Sequence, residues 1–158
     1  MLNISDPALR NTLDDNMTPF DVFLSYAHKD RHYRKRVQKA LEKRGLWVWV
    51  DDRGLTPGIA WQEAIQEAID SACSIVVILS PDAKISRYVS RELNYAGSQG
   101  KRIFPVLARG NLKTAVPFAV SGIQFVSIAK TSKAEFAEVM DALAEAIHAH
   151  LKVGCPSE

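Results

Sequence analysis

At 158 residues, 47% hydrophobic and 24% charged, the chain has the size and composition of one globular domain able to bury its own core, which excludes the disordered and fibrous classes. Its 20 Lys and Arg against 18 Asp and Glu leave a formal net charge of +2, so no global field argues for nucleic acid or an anionic membrane as partner. There is no apolar run of about 18 residues, the opening Met1-Leu2-Asn3-Ile4 lacks the regions of a signal peptide, and Cys73 and Cys155 form neither a CxxC pair, a metal-ligand spacing nor a disulfide framework, so a cytoplasmic, reducing setting is expected.

Residues 1–19 are polar, carry Pro7 and Pro19 and show no sustained period; they read as a flexible leader. The run Asp21-Val22-Phe23-Leu24-Ser25-Tyr26 is short, apolar and β-prone, as a buried parallel strand is. Asp30 stands where a helix N-cap belongs, Tyr33, Val37, Ala40 and Leu41 recur at helical spacing, and Gly45 follows as a C-cap glycine, which predicts a helix over about 30–44. Its basic run, residues 31–36, is expected to form a solvated face.

Leu46-Trp47-Val48-Trp49-Val50 alternates aromatic and β-branched residues and predicts a second strand, with at least one Trp packed in the core. The turn-rich stretch from Asp51 to Gly58 predicts a long exposed loop. Trp61, Ile65, Ala68, Ile69 and Ala72 trace the next helix; Ser74 to Ser80 is an unbroken apolar strand of the doubly buried kind. Ile85, Val89, Leu93 and Ala96 mark a third helix, residues 102–107 and 122–126 two more strands, and Phe136, Met140, Leu143, Ile147 and Leu151 a final helix. Strands alternating with helices of this length predict an open, five-stranded parallel sheet covered on both faces, a flavodoxin-like three-layer α/β/α fold. Ligands of such sheets bind beyond the carboxyl ends of the strands, which directs attention to the segments after Tyr26, Val50 and Ser80.

Three of those segments together resemble the TIR (Toll/interleukin-1 receptor) family. Phe20-Asp21-Val22-Phe23-Leu24-Ser25-Tyr26-Ala27 is similar to its opening strand. Gly45-Leu46-Trp47-Val48-Trp49-Val50-Asp51, running into Leu55-Thr56-Pro57-Gly58, is similar to its second strand and following loop. Ser80-Pro81 followed by Ser86-Arg87-Tyr88-Val89-Ser90-Arg91-Glu92-Leu93 resembles the stretch that in catalytic members carries an aromatic residue and a glutamate. The usual Trp and Cys of that stretch are Tyr88 and Val89 here. The resemblance covers residues 20–151, with a domain expected over 20–152 and a tail over 153–158.

It implies one of two activities. Some members only self-associate, as adaptors, whereas others cleave NAD and release nicotinamide, leaving ADP-ribose or a cyclic isomer. In the enzymatic reading, NAD is a substrate and no cofactor is required; the absence of GxGxxG and GxxxxGK[ST] from the sequence agrees with that. Glu92 is then the catalytic carboxylate. Tyr88, four residues earlier, shares its helix face and can pack on the substrate. A carboxylate about 4 Å from the cation that forms as nicotinamide leaves is worth on the order of 4 kcal/mol at an effective dielectric near 20.

Ser25, Tyr26 and Asp51 end strands on the same sheet edge and are candidate substrate-binding residues. The resemblance also implies that the loop bearing Leu55, Pro57 and Gly58 contacts other TIR domains, in an immune or defence role. No metal is implied. Against these readings stand simpler ones: Glu92 as a solvated helix acid paired with Arg87 or Arg91, and Ser25, Tyr26 and Asp51 as turn caps. A nucleoside-deoxyribosyltransferase-like enzyme is a further alternative on the same scaffold. A phospho-receiver is disfavoured because the first strand ends in Ser25-Tyr26 rather than an acidic pair. His28 and His32 read as surface residues, and His148 and His150 as members of the last helix.

Overall fold

The computed structural model describes residues 20–50 and 61–155, apart from the side chain of Trp61. Among them five strands form a single sheet: β1 (Phe20–Ser25), β2 (Val48–Val50), β3 (Ala72–Leu79), β4 (Arg102–Leu107) and β5 (Val126–Ser127). Their order is β2-β1-β3-β4-β5 and every pairing is parallel. The order reverses between β1 and β3, so the chain leaves those two neighbours in opposite directions and opens a crevice at their carboxyl ends.

Helices α1 (Arg31–Lys43), α2 (Trp61–Ser71), α3 (Pro81–Ile85), α4 (Arg87–Ser98) and α5 (Leu112–Ala115) lie between the strands, and α6 (Lys133–Val153) follows β5. Strand alternation decides which helix covers which face. Val22 and Leu24 of β1 pack with Val76 and Ile78 of β3 against Val37 and Leu41 of α1 and Met140 and Ile147 of α6. On the other face Phe23, Ile75 and Val77 pack with Ile65 and Ile69 of α2 and Val89 and Leu93 of α4. β3 is buried along its whole length, because it lies mid-sheet with helices on both sides.

Local signals explain the ends of several elements. Gly45 sits just past α1 at φ +84° and donates its N–H to the Glu42 carbonyl, a backbone position where a Cβ would be strained. Ser132 and Glu135 close a reciprocal capping box at the start of α6. Trp47 is buried, with its ring centroid 4.4 Å from that of Phe20, and Trp49 stacks on Phe23 at 5.1 Å, so both serve packing.

Five expectations are corrected. The third helix is two: Ser86 breaks it with extended backbone, and Ile85 ends α3 at 79% exposure instead of facing the core. The strand expected over 122–126 is only Val126–Ser127, since Ile123 N–H bonds the Val120 carbonyl and holds Gly122 in a turn. The Asp30 side chain makes no cap bond to α1; it is drawn into the cluster described below. The basic run is not wholly solvated: Arg34 is 4% exposed, with its guanidinium 5.1 Å from the Tyr26 ring centroid and Nη1 donating to Gln38. Cys73 and Cys155 are joined in a disulfide, because the fold brings the start of β3 to Cys155, two residues past the end of α6, with 4.9 Å between Cα atoms. Among the described residues no helix is long and apolar enough to cross a membrane.

Candidate functional site

Ser25 closes β1 on the Phe23 side of the sheet and is 1% exposed. Helix α4 crosses that side, started by Ser86, whose hydroxyl accepts from Val89 N–H at 3.3 Å. Val89, Leu93 and Ala96 dock the helix on the sheet, which turns the half-buried Glu92 towards the end of β1. The Ser25 Oγ–H donates to Glu92 Oε2 at 2.5 Å. A buried hydroxyl thus fixes one carboxylate oxygen, and Glu92 pairs with neither Arg87 nor Arg91.

Glu92 also lines a groove of about 330 Å³ between α2 and α4. Gln62, Ile65, Gln66 and Ile69, at helical spacing, form the α2 wall. Tyr88, Arg91, Asn94 and Tyr95 join Glu92 on the α4 wall. Tyr88 is 51% exposed, and Tyr95 donates its hydroxyl hydrogen to Asp70 at 2.8 Å, linking the two walls at one end. Apolar and aromatic surface with a few convergent polar groups is the composition of a small-molecule site, and the volume lies at the low end of the roughly 300–1,000 Å³ usual for one.

The structure therefore brings Ser25, Tyr88 and Glu92 to one place. Tyr26 points elsewhere: it packs with the core under α1 and α6, beneath Arg34. Asp51, Leu55, Pro57 and Gly58 lie outside the described residues. The groove's α2 wall was not anticipated, although Gln62 and Gln66 stand four apart, the spacing that shares a helix face.

A second polar cluster, also unanticipated, holds the carboxyl edge. Asp30 is fully buried and its carboxylate accepts from Ser80 Oγ and, at 2.9 Å, from Arg109 Nε. Ser80 caps α3 by accepting from Ala83 N–H at 3.0 Å. Arg109, just beyond β4, also donates to Asp82 in the first turn of α3, and Lys29 lies 3.8 Å from the same carboxyl group. The hydrogen bond from Arg109 holds the Asp82 carboxyl below its ordinary 3.8, and that same bond raises the Arg109 guanidinium above its already high ordinary value. The cluster ties the ends of β1, β3 and β4 to α3, which leads into the helix carrying Glu92. Among the described residues no group of three or more His, Cys, Asp or Glu is placed to hold a metal ion.

A parallel sheet of order 2-1-3-4-5 covered by helices on both faces defines a flavodoxin-like α/β domain, and the carboxylate held by Ser25 lies beside the point where the strand order reverses. The chain belongs to the TIR domain family, whose model matches residues 22–146. It is 29% identical over 128 residues to the NAD(+) hydrolase ApTIR of an Actinoplanes species, a match spanning 66% of this chain and 18% of that much longer protein. Among solved structures it resembles the TIR domain of the Toll-related receptor TRR-2 from Hydra magnipapillata, with TM-score 0.68, 25% identity, and coverage of 82% of this chain and 98% of that one. The TIR domains of the activated Roq1 resistosome share the fold at TM-score 0.63 and 18% identity, covering 81% of this chain and 99% of theirs.

Proposed function

We propose that this domain cleaves the nicotinamide–ribose bond of NAD, with Glu92 as the catalytic carboxylate. The observation that carries the proposal is the Ser25–Glu92 hydrogen bond at the side of a groove walled by Tyr88. As the bond breaks, its electron pair leaves with the nicotinamide nitrogen and positive charge develops on the ribose. Glu92, oriented by Ser25, stabilises that charge, and the exposed Tyr88 ring offers a face for a departing or neighbouring base. Water then adds to the ribose and loses a proton, giving ADP-ribose; closure by a substrate atom gives a cyclic isomer. NAD is consumed, and no cofactor enters.

The similarity to the Actinoplanes NAD(+) hydrolase supports this reading. Self-assembly belongs to it too: TIR domains are part of an assembled resistosome in one structural neighbour, and the stretch of sequence with Asp51, Leu55, Pro57 and Gly58 is the segment proposed to make the contact in an immune or defence setting. The proposed setting is cytoplasmic, where the Cys73–Cys155 bond faces reductants.

The test is nicotinamide release from NAD by concentrated, crowded protein, with Glu92→Gln alongside. Release that falls about a thousandfold in the variant is expected. No release from the wild type would sink the proposal and leave a non-enzymatic TIR–TIR interaction module as the reading to pursue.

A further inference from the structure

Among the described residues that line the groove, one carries a positive charge that neither Glu92 nor the packing of the fold employs. Five of the described arginines have partners of their own. Arg44 pairs with Asp141 and Arg109 with Asp30 and Asp82, while Arg34, Arg36 and Arg102 lie over the rings of Tyr26, Phe136 and Phe104. Among the described residues Arg91 has no carboxylate or ring partner, and it lines the groove.

Its position follows from helix geometry. Tyr88, Arg91 and Tyr95 fall at i, i+3 and i+7 on α4, one stripe facing α2, where Gln62 and Gln66 present neutral amides. Consecutive helix residues diverge by about 100°, so while Glu92 turns in to Ser25, the guanidinium of Arg91 stays on the α2 side. A fork of N–H donors that no carboxylate of the described residues satisfies, flanked by amides that can add donors, is a receptor for an oxyanion, and phosphate fits a guanidinium with two parallel hydrogen bonds.

We infer that Arg91 holds the phosphate group of the substrate, so that the groove selects a phosphorylated nicotinamide nucleotide over the unphosphorylated nucleoside. The inference rests on the proposed cleavage of NAD and adds to it a residue that determines specificity. Phosphate bound at Arg91 would anchor the ribose beside Glu92, so binding energy away from the reacting bond is used to position it.

The experiment compares kcat/KM for NAD with that for nicotinamide riboside, using concentrated wild type, Arg91→Gln and Arg91→Lys. Arg87→Gln, an exposed arginine outside the groove, is the control. Loss of a charge-assisted pair predicts that the NAD-to-riboside ratio falls about tenfold or more in Arg91→Gln, through KM, less in Arg91→Lys, and stays at the wild-type value in Arg87→Gln. An unchanged ratio in Arg91→Gln overturns the inference.

A calorimetric titration with ADP-ribose separates this outcome from failure of the enzymatic reading. If the wild type releases no nicotinamide, ADP-ribose binding that weakens about tenfold in Arg91→Gln still supports a phosphate site. Equal binding by both proteins, or none by the wild type, overturns it.

Discussion

Ser25 and Glu92 lie 67 residues apart in the chain, yet the hydroxyl of one holds the carboxylate of the other at 2.5 Å. Because Ser25 is buried and Glu92 half-buried, this bond has an orienting role that a surface pair would lack. Ser25→Ala should leave the fold intact and slow nicotinamide release about tenfold, since a hydrogen bond to a charged group is worth roughly 1.5–3 kcal/mol and part of that is lost as misorientation. Steady-state rates and a thermal melt on one sample check it; full activity would reduce Ser25 to a turn residue.

Arg109 is placed to matter for stability. Asp30 is wholly buried, and removal of Arg109 leaves it with Ser80 as its other side-chain partner. Arg109→Met should destabilise the domain by about 2–3 kcal/mol, below the range for fully buried pairs because the guanidinium is partly open to solvent. Chemical denaturation of the variant measures the loss.

Acid should act through the same cluster. A carboxyl group held below its ordinary value contributes stability that is complete above that value and lost as pH falls through the lowered one. Asp82, held below 3.8 by Arg109, therefore contributes at neutral pH and loses that contribution only below about pH 4. Asp82→Asn should flatten the acid limb of the stability profile there, and an unaltered limb would show that other carboxyl groups govern it.

Reduction of Cys73–Cys155 gives a fourth expectation. The bond spans 82 residues, a separation for which the loop-entropy relation gives about 4.5 kcal/mol. Reductant, or Cys155→Ser, should lower Tm by roughly 10 °C. Melts with and without reductant, with thiol counts before each, test this directly.

The fold was legible where one dominant force acts over neighbouring residues. Ile75 to Leu79 is short, apolar and rich in β-branched residues, as a buried strand is, and the spacing of Met140, Leu143 and Ile147 matches their burial on α6. Tyr88 and Glu92 were legible as a pair because four residues is a helix repeat. Tertiary partners were not: Asp30 reads locally as a cap, and only the parallel sheet brings Arg109, 79 residues away, to its carboxylate. The same limit hid the α2 wall of the groove and the pairing of two cysteines that share no local motif.

The sheet's flanks have a consequence for how copies of the domain can meet. Its outer strands are β2, with three residues, and β5, with two, as described, so each offers few free backbone donors and acceptors to a neighbour. Strand addition from chain to chain is thereby discouraged. A higher-order array of this domain would be built by contacts among helices and connecting segments, reversible and dependent on concentration, without the cross-strand zippering that leads to amyloid.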